Sequence, residues 1–325
     1  MQQRILGNSG IAVSALGLGC MGMSEFYGAT DEAQSLETLA AAHDAGVTLF
    51  DTADTYGFGA NEELLGRFLK GRRGRAVVAT KAGLVRAAGA YQRRVDNSPA
   101  YLRSACEASL KRLGVEAIDL YYLHRLNLET PLEESLGALA RLVREGKVRA
   151  IGLSEVSPAT LRRAAAIHPI AAVQSEYSLW TREPEQGVLQ ACREVGAAFV
   201  PYSPLGRGFL TGVAAPGAAA DFRGQLPRFS GENGVRNQAI ADTVKAIALE
   251  QGCSPAQLAL AWLLAQGDDI VPIPGTKRLG YLRENLGALQ VRLDRAELAR
   301  IGAALPLGMA AGARYTEEGM KGLDA

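Results

Sequence analysis

The apolar period of this chain switches again and again between strand-like and helix-like, and that alternation restricts the fold more than any single motif. Eight short β-rich or apolar runs stand out: SALGLGC, VTLF before Asp51, AVVAT before Lys81, IDLYYL before His124, VRAIGLS, AAVQS, AFVPYS and IVPIP. Between them lie helical patterns at about 32 to 45, 60 to 70, 98 to 113, 132 to 145, 158 to 167, 185 to 195, 237 to 251 and 279 to 289. Strict alternation of strands with helices of this length argues for parallel βαβ units. Eight such units within 325 residues fit an α/β chain closed as a (β/α)8 TIM barrel, so residues 1–325 are expected to form a single barrel domain.

Some segments stand outside the repeat. RILGNSGIAVS reads as a hairpin turning at Asn8-Ser9-Gly10, placed to cap the bottom of the barrel. Ser254 followed by Pro255 opens an extra helix, 254 to 266, with a good N-cap and first-turn pair. GVAAPGAAADFRGQLPRFSGENG, about 212 to 234, is rich in Gly, Ala and Pro without period and predicts a long loop, a common form for a functional lid. The tail beyond about 305, with its extra C-terminal helices, is a second candidate for covering the rim.

Composition narrows the class of partner. With 35 basic and 34 acidic residues the formal charge is +1, so nothing electrostatic favours nucleic acid or an acidic membrane. Cys20, Cys106, Cys192 and Cys253 are far apart and form no metal-ligand spacing, which reads as reduced packing residues and no metal. The N-terminus lacks an uninterrupted apolar stretch before a cleavage site, and no segment approaches the roughly 18 apolar residues of a membrane helix. A cytoplasmic protein is the expectation, acting on a small molecule, with its oligomeric state left open.

Gly17-Leu18-Gly19-Cys20-Met21-Gly22 spells GxGxxG after a strand candidate. A Rossmann site needs a helix to open at the third glycine, whereas MSEFYGATDEA keeps turn chemistry until about Asp31. The run is therefore read as a glycine-rich first barrel strand and its rim loop.

Residues at the carboxyl ends of successive barrel strands converge on one rim. Asp51, Tyr56, Lys81 and His124 all follow or end such runs. A carbonyl that accepts hydride develops negative charge on oxygen, and a neighbouring acid must protonate it. Tyr56 suits that task if the ammonium of Lys81 lowers its phenol pKa, with Asp51 keeping Lys81 charged and oriented. His124, as a neutral ring, offers a second hydrogen bond to the carbonyl oxygen. His43 and His168 lie on helices without partners at ligand spacing.

From about Arg4 to at least residue 295 the chain resembles the aldo-keto reductase superfamily. The resemblance rests on GVTLFDTADTYGFGANEELLG, ATK at 79 to 81, IDLYYLHR, GLSE, QSEYSLW, PYSPLGRGFLTG and PIPGTKRLGYLREN. It implies a (β/α)8 barrel that binds NADPH across its carboxyl rim, with Asp51, Tyr56, Lys81 and His124 as the catalytic tetrad and Tyr56 as acid. It implies further that Ser154 and Gln174 hold the nicotinamide carboxamide and that Tyr202 stacks on the ring. Ser203, Leu205, Gly206 and Arg207 would approach the pyrophosphate and ribose, Gly275, Thr276 and Lys277 the adenosine 2′-phosphate, and Glu284 and Asn285 the adenine. Two positions depart from the pattern: Glu155 stands where many members have Asn, and Tyr281 where many have a phosphate-clamping Arg. Loss of a bidentate Arg relaxes preference by on the order of 1 to 3 kcal/mol, so NADPH is expected to be favoured modestly, with NADH accepted less well.

Met21, Met23, Phe26, Tyr27, Phe58 and Trp180, with the 212 to 234 loop, make an apolar rim suited to medium-sized aldehydes. The expected activity is NADPH-dependent reduction of aldehydes and some ketones. Alternatives are a pyridoxal-type vitamin-aldehyde reductase and, since potassium-channel β subunits resemble this family, a slow-turnover NADPH-sensing regulatory subunit. An isomerase or aldolase with Lys81 as Schiff base is opposed by the neighbouring Asp51.

Overall fold

The computed structural model describes residues 1–86, 93–212 and 221–324. Its centre is a parallel sheet whose strands lie side by side in chain order: β3 (Leu18–Gly19), β4 (Leu49–Asp51), β5 (Val77–Ala82), β8 (Ile118–Leu123), β9 (Val148–Ser154), β10 (Ile170–Glu176) and β11 (Ala198–Tyr202). Helices α1 (Glu32–Asp44), α2 (Ala60–Leu69), α3 (Pro99–Leu113), α4 (Leu132–Arg144), α5 (Pro158–Ile167) and α6 (Val188–Val195) make the crossovers. After β11 come α7 (Gly231–Glu250), α8 (Pro255–Leu264), α9 (Leu279–Gly287), α10 (Arg295–Ala304) and α11 (Glu317–Met320).

Seven strands form the ladder, and the eighth run, IVPIP, closes the barrel without being a regular strand. The reason is its two prolines. Val271 and Ile273 donate to the Phe199 and Pro201 carbonyls of β11 at 2.8 and 3.0 Å. On the other side Pro272 and Pro274 have no N–H to give. They only accept, from the amides of Gly17 and Gly19 at 2.9 and 3.2 Å. The glycines of the GxGxxG run are explained by that approach: a Cβ on Gly17 would meet the Ile273 side chain at 2.9 Å, and one on Gly19 the Ile273 carbonyl at 3.0 Å. Only a single 3-10 turn, Met21–Met23, spans Gly22, and α1 begins at Glu32, capped by Asp31.

Helix starts follow a repeated local rule. Ser98-Pro99, Ser157-Pro158 and Ser254-Pro255 each set a serine at the N-cap, its hydroxyl accepting from the third residue on, before a proline that loses no helical bond. The core has two shells, one between helices and sheet and one inside the barrel, where Leu49, Ala79, Leu120, Tyr122, Ala150 and Val271 meet. The N-terminal hairpin, β1 (Gln3–Ile5) with β2 (Ala12–Ser14), drives Leu6 and Val13 into that inner core and so plugs the amino end.

Three parts of the structure differ from expectation. α7 starts at Gly231 rather than 237, and 3-10 turns at Phe222–Gln225 and Pro227–Phe229 occupy the late part of the expected 212 to 234 loop, of which residues 213 to 220 lie outside the described residues. Polar anchoring, invisible to an apolar period, holds this stretch: Asn237 donates to the Arg228 and Ala311 carbonyls, both at 2.9 Å, and accepts from the Ala311 amide at 2.7 Å. α6 starts at Val188, after a 3-10 turn over Glu183–Gln186 and a Gly187 whose φ is 138°. An unexpected antiparallel pair, β6 (Leu84–Arg86) with β7 (Arg93–Val95), follows β5 and raises two arginines to the rim.

Candidate active site

The carboxyl ends of the strands open into a cavity of about 520 Å³, a size ordinary for a cofactor site. Beneath it the buried ammonium of Lys81, in β5, contacts Asp51 at 2.5 Å, the Thr52 carbonyl at 2.7 Å and the Tyr56 hydroxyl at 3.3 Å. Gln174 donates to the second Asp51 oxygen at 2.8 Å, and the His124 ring stands edge-on to Tyr56 at 5.9 Å between centroids. Four residues from three strand ends thus converge.

Burial opposes the charge on Lys81, but Asp51 and Tyr56 outweigh it and raise the lysine pKa. Burial also raises the Asp51 carboxyl against the pull of Lys81. In this ion pair the lysine carries the charge, with three acceptors around it. The expected lowering of Tyr56 is corrected: burial pushes its phenol above the ordinary value, and the opposing pull of Lys81 is the smaller effect. Tyr56 therefore holds its proton at neutral pH, as a proton donor must. His124 is driven well below its usual value by burial and then by Lys81, Arg125, Arg93 and Arg86, so the ring is neutral.

The rim gathers most of the residues singled out by sequence. Ser154, Gln174, Tyr202, Ser203, Leu205, Arg207, Gly275, Thr276, Lys277, Glu284 and Asn285 line the same cavity as Asp51, Tyr56 and His124. Lys81 and Gly206 do not line it themselves, but Lys81 contacts Asp51 and Tyr56, which do, and Gly206 stands in the chain between the lining Leu205 and Arg207. Phe26, Phe58, Glu155, Ser203 and Arg207, which have left-handed backbones with φ between 49° and 72°, all sit in loops after barrel strands. Strain of this kind collects at functional sites. Lys277 spends its ammonium on the Tyr27 and Ala29 carbonyls at 2.9 and 2.6 Å, tying that loop across the rim. Beside it Arg278 lies over the Tyr281 ring at 5.7 Å.

The apolar rim is redrawn. Met21, Phe26 and Tyr27 line the cavity, but Met23 and Trp180 are 3% exposed and belong to the core, Trp180 stacked on Phe209 at 4.7 Å. Phe58 turns outward, 51% exposed, under Arg86. Tyr27 and Asp221 form a β-bridge, and Phe26 packs on Phe222 at 5.3 Å, so two loops meet over the opening.

Sequence reasoning missed Arg86, Arg93, Arg125 and Tyr315, all at the cavity, and placed Phe222 there only as part of the 212 to 234 loop. The tail does reach the rim. Arg314 grips Glu155 at 2.8 and 3.1 Å, and the Tyr202 hydroxyl meets Glu155 and the Tyr315 hydroxyl, both at 2.8 Å. Burial opposes ionisation of Glu155, yet Arg314 and Arg125 hold its carboxyl below the usual range. Glu155 is thus a fastening for the tail. No helix is long and apolar enough to cross a membrane among the described residues.

A model of the aldo/keto reductase family matches residues 15–306. A probable aldo-keto reductase 1 of Glycine max is 48% identical over 95% of this chain and 90% of its own length. An aldo-keto reductase of Schizosaccharomyces pombe, whose name specifies NADP(+), is 48% identical over 96% of this chain and 94% of its own. The solved glycerol dehydrogenase from Gluconobacter oxydans superposes with a TM-score of 0.83 at 30% identity, covering 97% of each chain.

Proposed function

Because the chain belongs to the aldo/keto reductase family and is thereby an oxidoreductase, we propose that it reduces aldehydes and some ketones to alcohols with NADPH, with Tyr56 as the proton donor. The observation that carries this reading is the buried chain Asp51, Lys81, Tyr56 set against a neutral His124 at the floor of one cavity.

The residues present fit a dinucleotide. One continuous cavity runs from His124 and Tyr202 past Arg207 to Thr276 and Asn285. Ser203, Gly206 and Arg207 have left-handed backbones, the kind of turn that can present main-chain N–H groups to a phosphate. Gln174 and Ser154 would hold the nicotinamide carboxamide and Tyr202 its ring, while Thr276, Lys277 and Arg278 would face the adenosine phosphate. When bound, NADPH supplies the hydride that the carbonyl carbon accepts. The proton on the carbonyl oxygen comes from the Tyr56 hydroxyl, leaving a phenolate 3.3 Å from the Lys81 ammonium. Asp51 holds that ammonium charged, and His124 donates a hydrogen bond to the same carbonyl oxygen, fixing its direction. Met21, Phe26, Tyr27, Phe222 and Tyr315 supply the apolar walls for substrate. The name of the Schizosaccharomyces pombe relative supports the phosphorylated cofactor. Tyr281 in place of a clamping arginine keeps the preference over NADH modest.

The test is NADPH consumption with 4-nitrobenzaldehyde for the wild type beside Tyr56→Phe. Turnover by the wild type and a loss of about a hundredfold or more in kcat with NADPH binding kept is the expected result. An equally active mutant removes Tyr56 from the acid role, and a protein that binds no NADPH removes the cofactor.

A further inference from the structure

We propose that the carbonyl substrate carries an anionic group, a carboxylate in the simplest case, and that Arg125 is its anchor. The inference rests on the reductase reading and names the substrate class of the same site.

Arg125 follows His124 at the end of β8, is 4% exposed, and lines the cavity. Its two hydrogen bonds both come from Nη1, to the His124 carbonyl at 2.8 Å and to the Ser154 hydroxyl at 3.1 Å. Both acceptors are neutral. Nε is buried with no partner, and among the described residues Arg125 enters no ion pair. Burial opposes the charge on this guanidinium, and Tyr202 and Glu155 sustain it electrostatically, but no described carboxylate is in contact with it, and a buried donor left unfilled is costly to keep. Here the partner has been left for a ligand to supply.

The surrounding carboxylates are already committed. Asp51 is taken by Lys81 at 2.5 Å, Glu25 by Arg86 at 2.7 Å and Glu176 by Arg207 at 3.1 Å. Glu155 feels Arg125, but it already accepts from Arg314 twice, from Tyr202 and from the Glu176 amide. Arg93, whose Nη2 donates to the Gly319 carbonyl at 2.6 Å, also lines the cavity, and its charge is felt by His124. Arg125 acts at the reacting end of the cavity, since its charge is felt by both Tyr56 and His124. The cofactor's own anions are expected at other residues, the pyrophosphate by Ser203, Leu205, Gly206 and Arg207 and the adenosine phosphate by Thr276 and Lys277, so the anion that Arg125 awaits is the substrate's. A planar carboxylate suits the guanidinium fork better than a hydroxyl or an amide does.

The experiment compares 4-carboxybenzaldehyde with methyl 4-formylbenzoate as substrates. The ester is the more electrophilic, so intrinsic reactivity works against the expected order. The wild type should favour the carboxylate by about tenfold or more in kcat/KM at low salt. Arg125→Gln should bring the ratio of the two to about one, and Arg125→Lys should restore part of it. Calorimetric titration of the wild type saturated with NADP+ gives a second readout that needs neither turnover nor a mutant: benzoate should bind about tenfold tighter than benzamide. Equal kcat/KM for the two aldehydes, or equal affinity for benzoate and benzamide, overturns the inference and leaves the reductase reading standing. Turnover of neither aldehyde overturns both.

Discussion

Replacing Glu155 by alanine should release the C-terminal tail and cost several kcal/mol. Its carboxylate, 1% exposed, accepts from Arg314 at 2.8 and 3.1 Å, from the Tyr202 hydroxyl at 2.8 Å and from the Glu176 amide at 2.9 Å. Alanine strands a guanidinium whose side chain is 12% exposed, together with a main-chain N–H. Breaking a buried pair from one side costs about 3–5 kcal/mol. At roughly 2–3 °C per kcal/mol for a chain of this size, the Tm falls by roughly 6–15 °C. A second substitution separates the lost partners from backbone strain. Glu155 has φ of 54°, a conformation that glycine adopts freely, so Glu155→Gly should recover about 1 kcal/mol relative to alanine. The assay pairs urea unfolding with limited trypsin digestion, since Arg314 and Lys321 are themselves cleavage sites. Cleavage after Arg314 should quicken in both variants. If the alanine variant melts within 2 °C of wild type and its tail is cut no faster, the fastening role assigned to Glu155 is refuted.

Gly152→Ala places a Cβ 2.4 Å from the Tyr122 ring inside the barrel, and the urea midpoint should fall by an amount corresponding to about 1–3 kcal/mol; an unchanged midpoint means the ring is free to shift. Asp54, with Oδ1 buried and unpartnered and its pKa raised to about 7 by burial and then by Glu62, binds a proton more tightly folded than unfolded. Its contribution is complete below the unfolded carboxylate value and is lost as pH rises towards 7, so Asp54→Asn should flatten the fall in stability between pH 4 and 7, a slope identical to wild type being the contrary result. Lys277→Met frees the Tyr27 and Ala29 carbonyls and removes a cation from the rim; stopped-flow release of NADPH should quicken several-fold and the preference over NADH should shrink, and no change in either would dissociate Lys277 from the cofactor.

The alternation of periods made the barrel legible because each βαβ unit repeats one physical solution, and the Ser254-Pro255 pair marked the start of α8, which begins at Pro255 with Ser254 as its cap. Lys81, Asp51, Tyr56 and His124 were legible because strand ends announce themselves as apolar runs that stop at a polar residue. What escaped depends on contacts between distant residues. Met23 and Trp180 carry the same apolar signal whether they face a ligand or the core, and only packing against partners such as Phe209 decides. Arg125 sits beside His124 in sequence, yet its lack of a carboxylate partner is visible only when every neighbour is in place. The Tyr56 pKa was misjudged for a related reason: a neighbouring ammonium can be guessed from sequence, whereas the depth of burial that outweighs it cannot.

The proline-bearing seam has a kinetic meaning. Each barrel strand from β4 to β11, the separate pair β6 and β7 aside, adds to the barrel strand before it in the chain, but closure joins Gly17 to Pro272 and Gly19 to Pro274, about 255 residues apart. Bringing such ends together costs on the order of 5 kcal/mol of loop entropy. The joint that repays this on the β3 side is narrow, since only carbonyls accept there. Closure therefore comes last in folding and fails first in local opening, and the amides of Gly17 and Gly19 should exchange with solvent sooner than those in the middle of β8 and β9. Gly19 and Gly275 stand on opposite sides of that joint and both line the cavity. A ligand lying there would span this joint, so loading the site should slow the exchange of the Gly17 and Gly19 amides.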